Sequence, residues 1–96
     1  MLRTQKITID CTVSQSEGNI VSNMDGEKVM MSIQKGKYYN LGEIGGVIWD
    51  AIETPVTVNQ IISKLTSEYE IDYKVCEAEV LAFLEQLKSE NLVLIK

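Results

Sequence analysis

The sequence predicts an α+β domain in which an antiparallel three-stranded β-meander precedes three α-helices. Short segments near 20–24, 28–33 and 38–41 have the composition of strands with one buried face. The dipeptides Asp25-Gly26 and Lys35-Gly36 separate them, and glycine reaches the positive φ values that hairpin turns demand. Three apolar-striped segments with helical period follow. This order predicts a winged-helix-like fold.

The second strand of the meander shows alternation most clearly, with one set of side chains expected to face the core. The two alternating sets are Val29, Met31 and Ile33 against Lys28, Met30 and Ser32. The third strand is short and contains Tyr38, Tyr39 and Leu41. A further N-terminal strand is indicated over 7–13, where Ile7, Ile9, Cys11 and Val13 alternate with polar residues.

Capping residues predict where the first two helices begin. The first is expected over about 41–53, with Asn40 as N-cap and Glu43 completing a capping box. Thr57 and Gln60 form a second box, which opens a helix that ends near residue 70. The glycine pair at 45–46 is expected to allow close helix–sheet packing, and Trp49 is expected in the core.

The third helix is expected from the cap residue Asp72 to about Glu90. Its core stripe should consist of Cys76, Val80, Phe83, Leu84 and Leu87. Leu81 lies beside Ala78 and Lys74 on a flank about 100° away, so one apolar residue falls partly outside the stripe.

Composition and charge indicate a single small domain over 1–96 and exclude several classes of function. A net charge of −5 argues against a nucleic-acid partner, because phosphate binding depends on Lys and Arg. No apolar run approaches the ~20 residues that cross a bilayer, and no secretory signal follows the basic start. We therefore expect a cytoplasmic protein with no membrane partner.

The chain contains no histidine, which removes the commonest general base and the commonest zinc ligand. Its two cysteines, Cys11 and Cys76, lie far apart in sequence and form no C-x-x-C pair. We expect both to be buried, reduced thiols. The sequence therefore predicts no catalytic residue, no metal site and no cofactor.

Residues 24–50 resemble the PqqD-like proteins, and most closely the small discrete members that accompany lasso-peptide biosynthesis. They follow the pattern D-G-E-x-V-L-L-x-x-x-x-G-x-Y-Y-x-L-N-x-x-G-x-x-I-W, with Met30 and Met31 at the aliphatic pair. Gly42 stands where that family often has Asn. The resemblance continues to about residue 95, and 1–18 match only loosely.

This resemblance implies a RiPP recognition element, a non-catalytic domain that binds the leader of a ribosomally made precursor peptide. Such a domain presents the leader to a leader peptidase and an Asn-synthetase-like cyclase. In that family the leader adds as an antiparallel strand to the third strand and packs against the third helix. Carried onto this sequence, the peptide-binding residues are Lys37, Tyr38, Tyr39, Asn40, Leu41, Lys74, Ala78 and Leu81.

Two other classes of function stay open at this point. A DNA-binding or transcription-regulating winged helix is disfavoured by the charge of the third helix, where acidic residues outnumber basic ones. A stand-alone enzyme is disfavoured by the missing catalytic residues. A homodimer is a further alternative that the sequence neither indicates nor excludes.

Overall fold

Strands come first along the chain and helices follow, in a computed structural model that describes residues 7–24, 27–33 and 35–96. This order confirms the predicted α+β class. The elements are β1 Thr12–Gln15, β2 Asn19–Met24, β3 Glu27–Ser32, β4 Lys37–Leu41, α1 Gly42–Ala51, β5 Val56–Thr57, α2 Val58–Glu68, α3 Tyr73–Ser89 and β6 Val93–Ile95.

The predicted meander forms an antiparallel sheet with strand order β2-β3-β4. The predicted Asp25-Gly26 turn lies outside the described residues. The two-residue turn expected at Lys35-Gly36 does not form, because Ser32 pairs with Lys37 and the two strands are therefore separated by more than two residues. Gly36 adopts a φ of 65°, the positive value for which glycine is suited.

The even-numbered residues of β3 form its buried face, a choice that the alternation left open. Met30 is fully buried, whereas Ile33 is 60% exposed. Lys28 shows the reason: its ammonium lies 3.4 Å from the Asp50 carboxylate of α1, so the even-numbered side of β3 meets that helix. Met31 therefore points to the outer face of the sheet.

A second sheet, with strand order β5-β1-β6, joins the two ends of the chain. The predicted N-terminal strand over 7–13 is wrong for its first part, since β1 begins only at Thr12. A turn precedes it, in which the Cys11 N–H donates to the Thr8 carbonyl over 3.1 Å. Ile7, Cys11 and Val13 are nevertheless buried, so a turn satisfies the apolar alternation here as well as a strand would.

Helix α1 lies within the predicted range, but the capping box expected there is absent. Leu41 is the N-cap and receives no side-chain hydrogen bond. Asn40 instead belongs to β4, and its Oδ1 accepts the Gly42 N–H over 2.9 Å. Gly42 adopts a φ of 73°, which lets the strand pass directly into the helix. The box fails because strand pairing already holds Asn40.

The caps of the other two helices are confirmed. Thr57 and Gln60 exchange backbone and side-chain hydrogen bonds of 3.1 and 2.9 Å at the start of α2. Asp72 accepts the N–H groups of Lys74 and Val75 at the start of α3. Both caps form because they depend only on residues within one helical turn.

One hydrophobic core lies between the helices and the two sheets. Trp49 is 4% exposed, as predicted for a core residue, and Cys11 and Cys76 are both buried, also as predicted. Within the part of the chain that the structure describes, no helix has the length and apolar character needed to cross a membrane.

Candidate functional site

Strand β4 lies at one edge of the meander sheet. Its pairing with β3 is described on one side, and within the described residues no strand pairs with its other side. Tyr38, opposite Met31, is 74% exposed on the outer face, whereas Tyr39, opposite Met30, turns inward and is half-buried. This division agrees with the alternation of a strand. An edge of this kind offers free backbone N–H and C=O groups to an extended peptide.

A groove runs between β4 and α3, next to this edge. Its cavity has a volume of about 140 Å³. Its lining is apolar along the floor and polar at the rim, and consists of Tyr39, Asn40, Leu41, Phe83, Gln86, Leu87, Glu90 and Leu92. An added strand would therefore meet backbone groups on one side and a mixed pocket beneath it.

The helix flank that faces β4 is not the predicted one. Phe83, Gln86 and Glu90 line the groove, whereas Leu81 lies about 160° around the helix from Phe83. Glu85, one helical turn after Leu81, accepts the Ile7 N–H over 3.0 Å, so this side of α3 faces the N-terminal segment, while Lys74 and Ala78 are exposed.

The structure therefore brings the predicted residues of β4 together but does not bring the three predicted helix residues to them. A helical wheel identifies the core stripe and leaves its two flanks equivalent. Which flank meets β4 depends on how α3 packs on the sheet.

One carboxylate joins three parts of the chain at the end of the groove. Glu90 Oε1 accepts a hydrogen bond of 2.9 Å from the Tyr39 hydroxyl and one of 3.1 Å from Lys35 Nζ. Lys35 Nζ also donates to the Glu90 carbonyl over 2.6 Å. The hydrogen bond from Lys35, followed by that from Tyr39, lowers the pKa of Glu90. Burial, followed by the bond to Glu90, raises the pKa of Tyr39.

A second, more apolar pocket opens on the other side of Phe83. Its volume is about 180 Å³, and its lining consists of Ile44, Gly45, Ile48, Leu65, Ile71, Cys76, Glu79, Val80 and Phe83. A Cβ at Gly45 would lie 3.0 Å from the Phe83 ring, so glycine is what permits this approach. A Cβ at Gly46 would lie 3.1 Å from the Lys28 side chain. The predicted helix–sheet contact is thus confirmed for Gly46, while Gly45 approaches α3.

The family model of coenzyme PQQ synthesis protein D (PqqD) matches residues 27–93. Comparison with curated protein sequences gives no significant match.

Two solved structures are similar to the chain. "TbiB1 in Complex with the TbiA(beta) Leader Peptide" is 26% identical, with 83% of this chain and 93% of that chain covered and a TM-score of 0.76. "Lasso peptide synthetase B1 complexed with the leader peptide" is 22% identical, with coverages of 85% and 96% and a TM-score of 0.75, which supports the fold alone.

Proposed function

Because this chain belongs to the PqqD family, we propose that it is a non-catalytic adaptor that binds the leader of a ribosomally synthesised precursor peptide. The similar structures contain leader peptides, one of them with a lasso peptide synthetase B1. A lasso precursor is the proposed partner class, because residues 24–50 resemble the discrete members that accompany lasso-peptide biosynthesis. The adaptor would present it in the cytoplasm to a leader peptidase and an Asn-synthetase-like cyclase.

The observation that carries this proposal is the edge of β4 beside the groove against α3. A leader lying antiparallel to Lys37–Leu41 would form main-chain hydrogen bonds with the strand. Alternate side chains of the leader would then enter the groove. On the helix side we assign contacts to Phe83, Gln86 and Glu90, since the flank that carries Lys74, Ala78 and Leu81 faces elsewhere.

The DNA-binding alternative gains no support from the structure. Helix α3 would have to enter a groove lined with phosphates, yet it and its cap carry Glu77, Glu79, Glu85 and Glu90 against two lysines. Negative charge on this helix repels a polyanion. An uncharged or mixed peptide meets no such barrier.

Proline substitutions test the edge directly. The N–H groups of consecutive strand residues point alternately toward β3 and toward the free side. We therefore expect one of Tyr38→Pro and Tyr39→Pro to remove an outward N–H. That variant should stay folded and bind the leader about tenfold or more weakly, well beyond its alanine counterpart. The other variant should break a ladder hydrogen bond and lower stability.

The probe is a synthetic peptide copying the leader of the precursor encoded beside this chain. Affinity is measured by calorimetric titration and folding by circular dichroism. Two charge variants test the helix side: Gln86→Glu in the groove, and Ala78→Glu as the matched control outside the groove, about 140° around the helix from Phe83, both at exposed positions.

We expect Gln86→Glu to weaken binding and Ala78→Glu to leave it unchanged. Weakening by Ala78→Glu alone would place the leader on the other flank. Folded proline variants that both bind as tightly as wild type would show that the leader docks away from β4.

A further inference from the structure

The contact between Tyr39 and Glu90 links the candidate docking strand to the wall of its groove. Tyr39 contributes its backbone to β4, while its hydroxyl reaches across to the Glu90 carboxylate over 2.9 Å. Glu90 is the C-cap of α3 and lines the same groove. The hydrogen bond therefore spans the groove at one end.

Lys35 fixes the far side of this contact. Its ammonium donates to the Glu90 carboxylate and to the Glu90 backbone carbonyl, over 3.1 and 2.6 Å. A positive charge at a helix C-terminus also complements the helix dipole. Because Lys35 lies in the loop that leads into β4, the end of α3 is bound to both the strand and the loop before it.

We infer that Tyr39, Glu90 and Lys35 form a bridge whose role is to position the β4 edge against α3 for peptide binding. This inference rests on the proposed function and names the positioning residues of that site. We call this contact set the Tyr39 bridge.

The peptide must form hydrogen bonds with the β4 backbone and fill the groove at the same time. Strand β4 must therefore lie at a fixed distance from α3. The other walls of the groove, such as Leu41, Phe83 and Leu87, make apolar contacts without directional preference. The hydrogen bonds of the bridge to the ionised Glu90 carboxylate are directional, so they fix the orientation of β4 relative to α3. Without the bridge, β4 would become ordered only when the peptide binds, and the entropic cost of that ordering would weaken the affinity.

Removal of one hydroxyl tests the bridge. Tyr39→Phe keeps the ring and loses only the donor, so we expect the leader peptide described above to bind about three- to tenfold more weakly. Tyr73→Phe is the matched control, since its hydroxyl donates to Asn59 Oδ1 over 3.0 Å at an exposed site outside the groove lining. It should bind within about twofold of wild type.

Charge removal provides a second arm. Glu90→Gln should weaken binding at least as much as Tyr39→Phe, because it perturbs the contacts of both donors. Glu68→Gln is its control, since it disrupts an exposed ion pair of 3.1 Å with Lys64 on α2. If the residues act as one bridge, adding Tyr39→Phe to Glu90→Gln should cause little further loss.

Hydrogen exchange in the free protein gives a readout that needs no peptide. Tyr39→Phe should speed exchange of the β4 amides that pair with β3 and leave those of α2 unchanged. A merely structural role predicts lower thermal stability with wild-type affinity for the folded protein.

Unchanged affinity in folded Tyr39→Phe overturns the inference, while loss at the edge prolines would leave the proposed function standing. Failure of the wild-type protein to bind the leader overturns the proposed function. The hydrogen-exchange data then test only whether the bridge holds β4 in the free protein. Unchanged exchange in Tyr39→Phe shows that the bridge does not hold the strand.

Discussion

Glu90 has an uncommon position for a carboxylate, since it lies at a helix C-terminus, where the dipole disfavours negative charge. The structure offsets this with Lys35 and Tyr39, and the nearby charge of Lys37 acts in the same direction. The pKa of Glu90 is consequently lower than usual. The Glu90 carboxylate is thus kept ionised by Lys35 and Tyr39, whereas the helix C-terminus alone would disfavour its negative charge.

This lowered pKa predicts how stability depends on pH. A carboxyl whose pKa is lowered in the folded state stabilises the fold when the pH is above its ordinary pKa of 4.5. That contribution is lost as the pH falls through the pKa of the folded state. We expect urea unfolding at pH 6 and pH 3 to show a smaller difference for Glu90→Gln than for wild type. Tyr39→Phe should be intermediate, because Lys35 remains. Equal acid sensitivity in all three proteins would contradict this.

At the scale of elements, the close approach of α1 to α3 determines where the Phe83 ring lies. Phe83 separates the two pockets, and Gly45 is the residue that lets the ring sit against α1. The ring has space on both sides. Gly45 lines the apolar pocket and not the groove, so a side chain added at 45 would push the ring toward the groove.

Gly45→Ala should change binding more than stability. Alanine favours the helix by about 1 kcal/mol, which offsets part of the crowding at 3.0 Å from the Phe83 ring. The displaced ring narrows the groove, so we expect weaker leader binding with a stability change within about 1 kcal/mol. Titration and chemical unfolding measure the two effects. Gly46→Ala is the control, because it crowds Lys28 on the other side of α1.

For the molecule as a whole, both thiols report on opening of the core. Cys11 and Cys76 are buried, and burial, with the charge of Glu79 second, raises the pKa of the Cys76 thiol. Little thiolate is available to a reagent in the folded state. We expect neither cysteine to react quickly until urea unfolds the protein, when both should react. Two rapid equivalents in the native protein would contradict the burial of these residues.

The sequence predicts those features that depend on neighbouring residues. The capping box of Thr57 and Gln60, the cap at Asp72 and the short β4 strand are all confirmed. The buried side of β3 was not predictable by alternation, since Met30 and Met31 are equally apolar. The face that is buried is determined by the packing of α1 against the side of β3 that carries Lys28 and Met30.

The placement of the helix residues could not be predicted for a similar physical reason: Lys74, Ala78 and Leu81 lie outside the groove lining. Nothing in the periodicity of α3 distinguishes the flank of Phe83 from that of Leu81, and the choice arises from packing between distant elements. The Tyr39 bridge was likewise unforeseen, because its partners lie 51 and 55 positions apart in the chain. Long-range polar contacts leave no local pattern.

The open edge of β4 also bears on how the protein behaves in concentrated solution. A strand that accepts a peptide accepts a second copy of itself by the same hydrogen bonds, so self-association competes with the peptide. Every copy carries a net charge of −5, and the edge includes Lys37, whose ammonium must be desolvated when two edges meet. The screening length falls from about 10 Å at 0.1 M salt to about 3 Å at 1 M. High salt therefore weakens the repulsion that keeps copies apart, and low ionic strength keeps the edge free for its peptide.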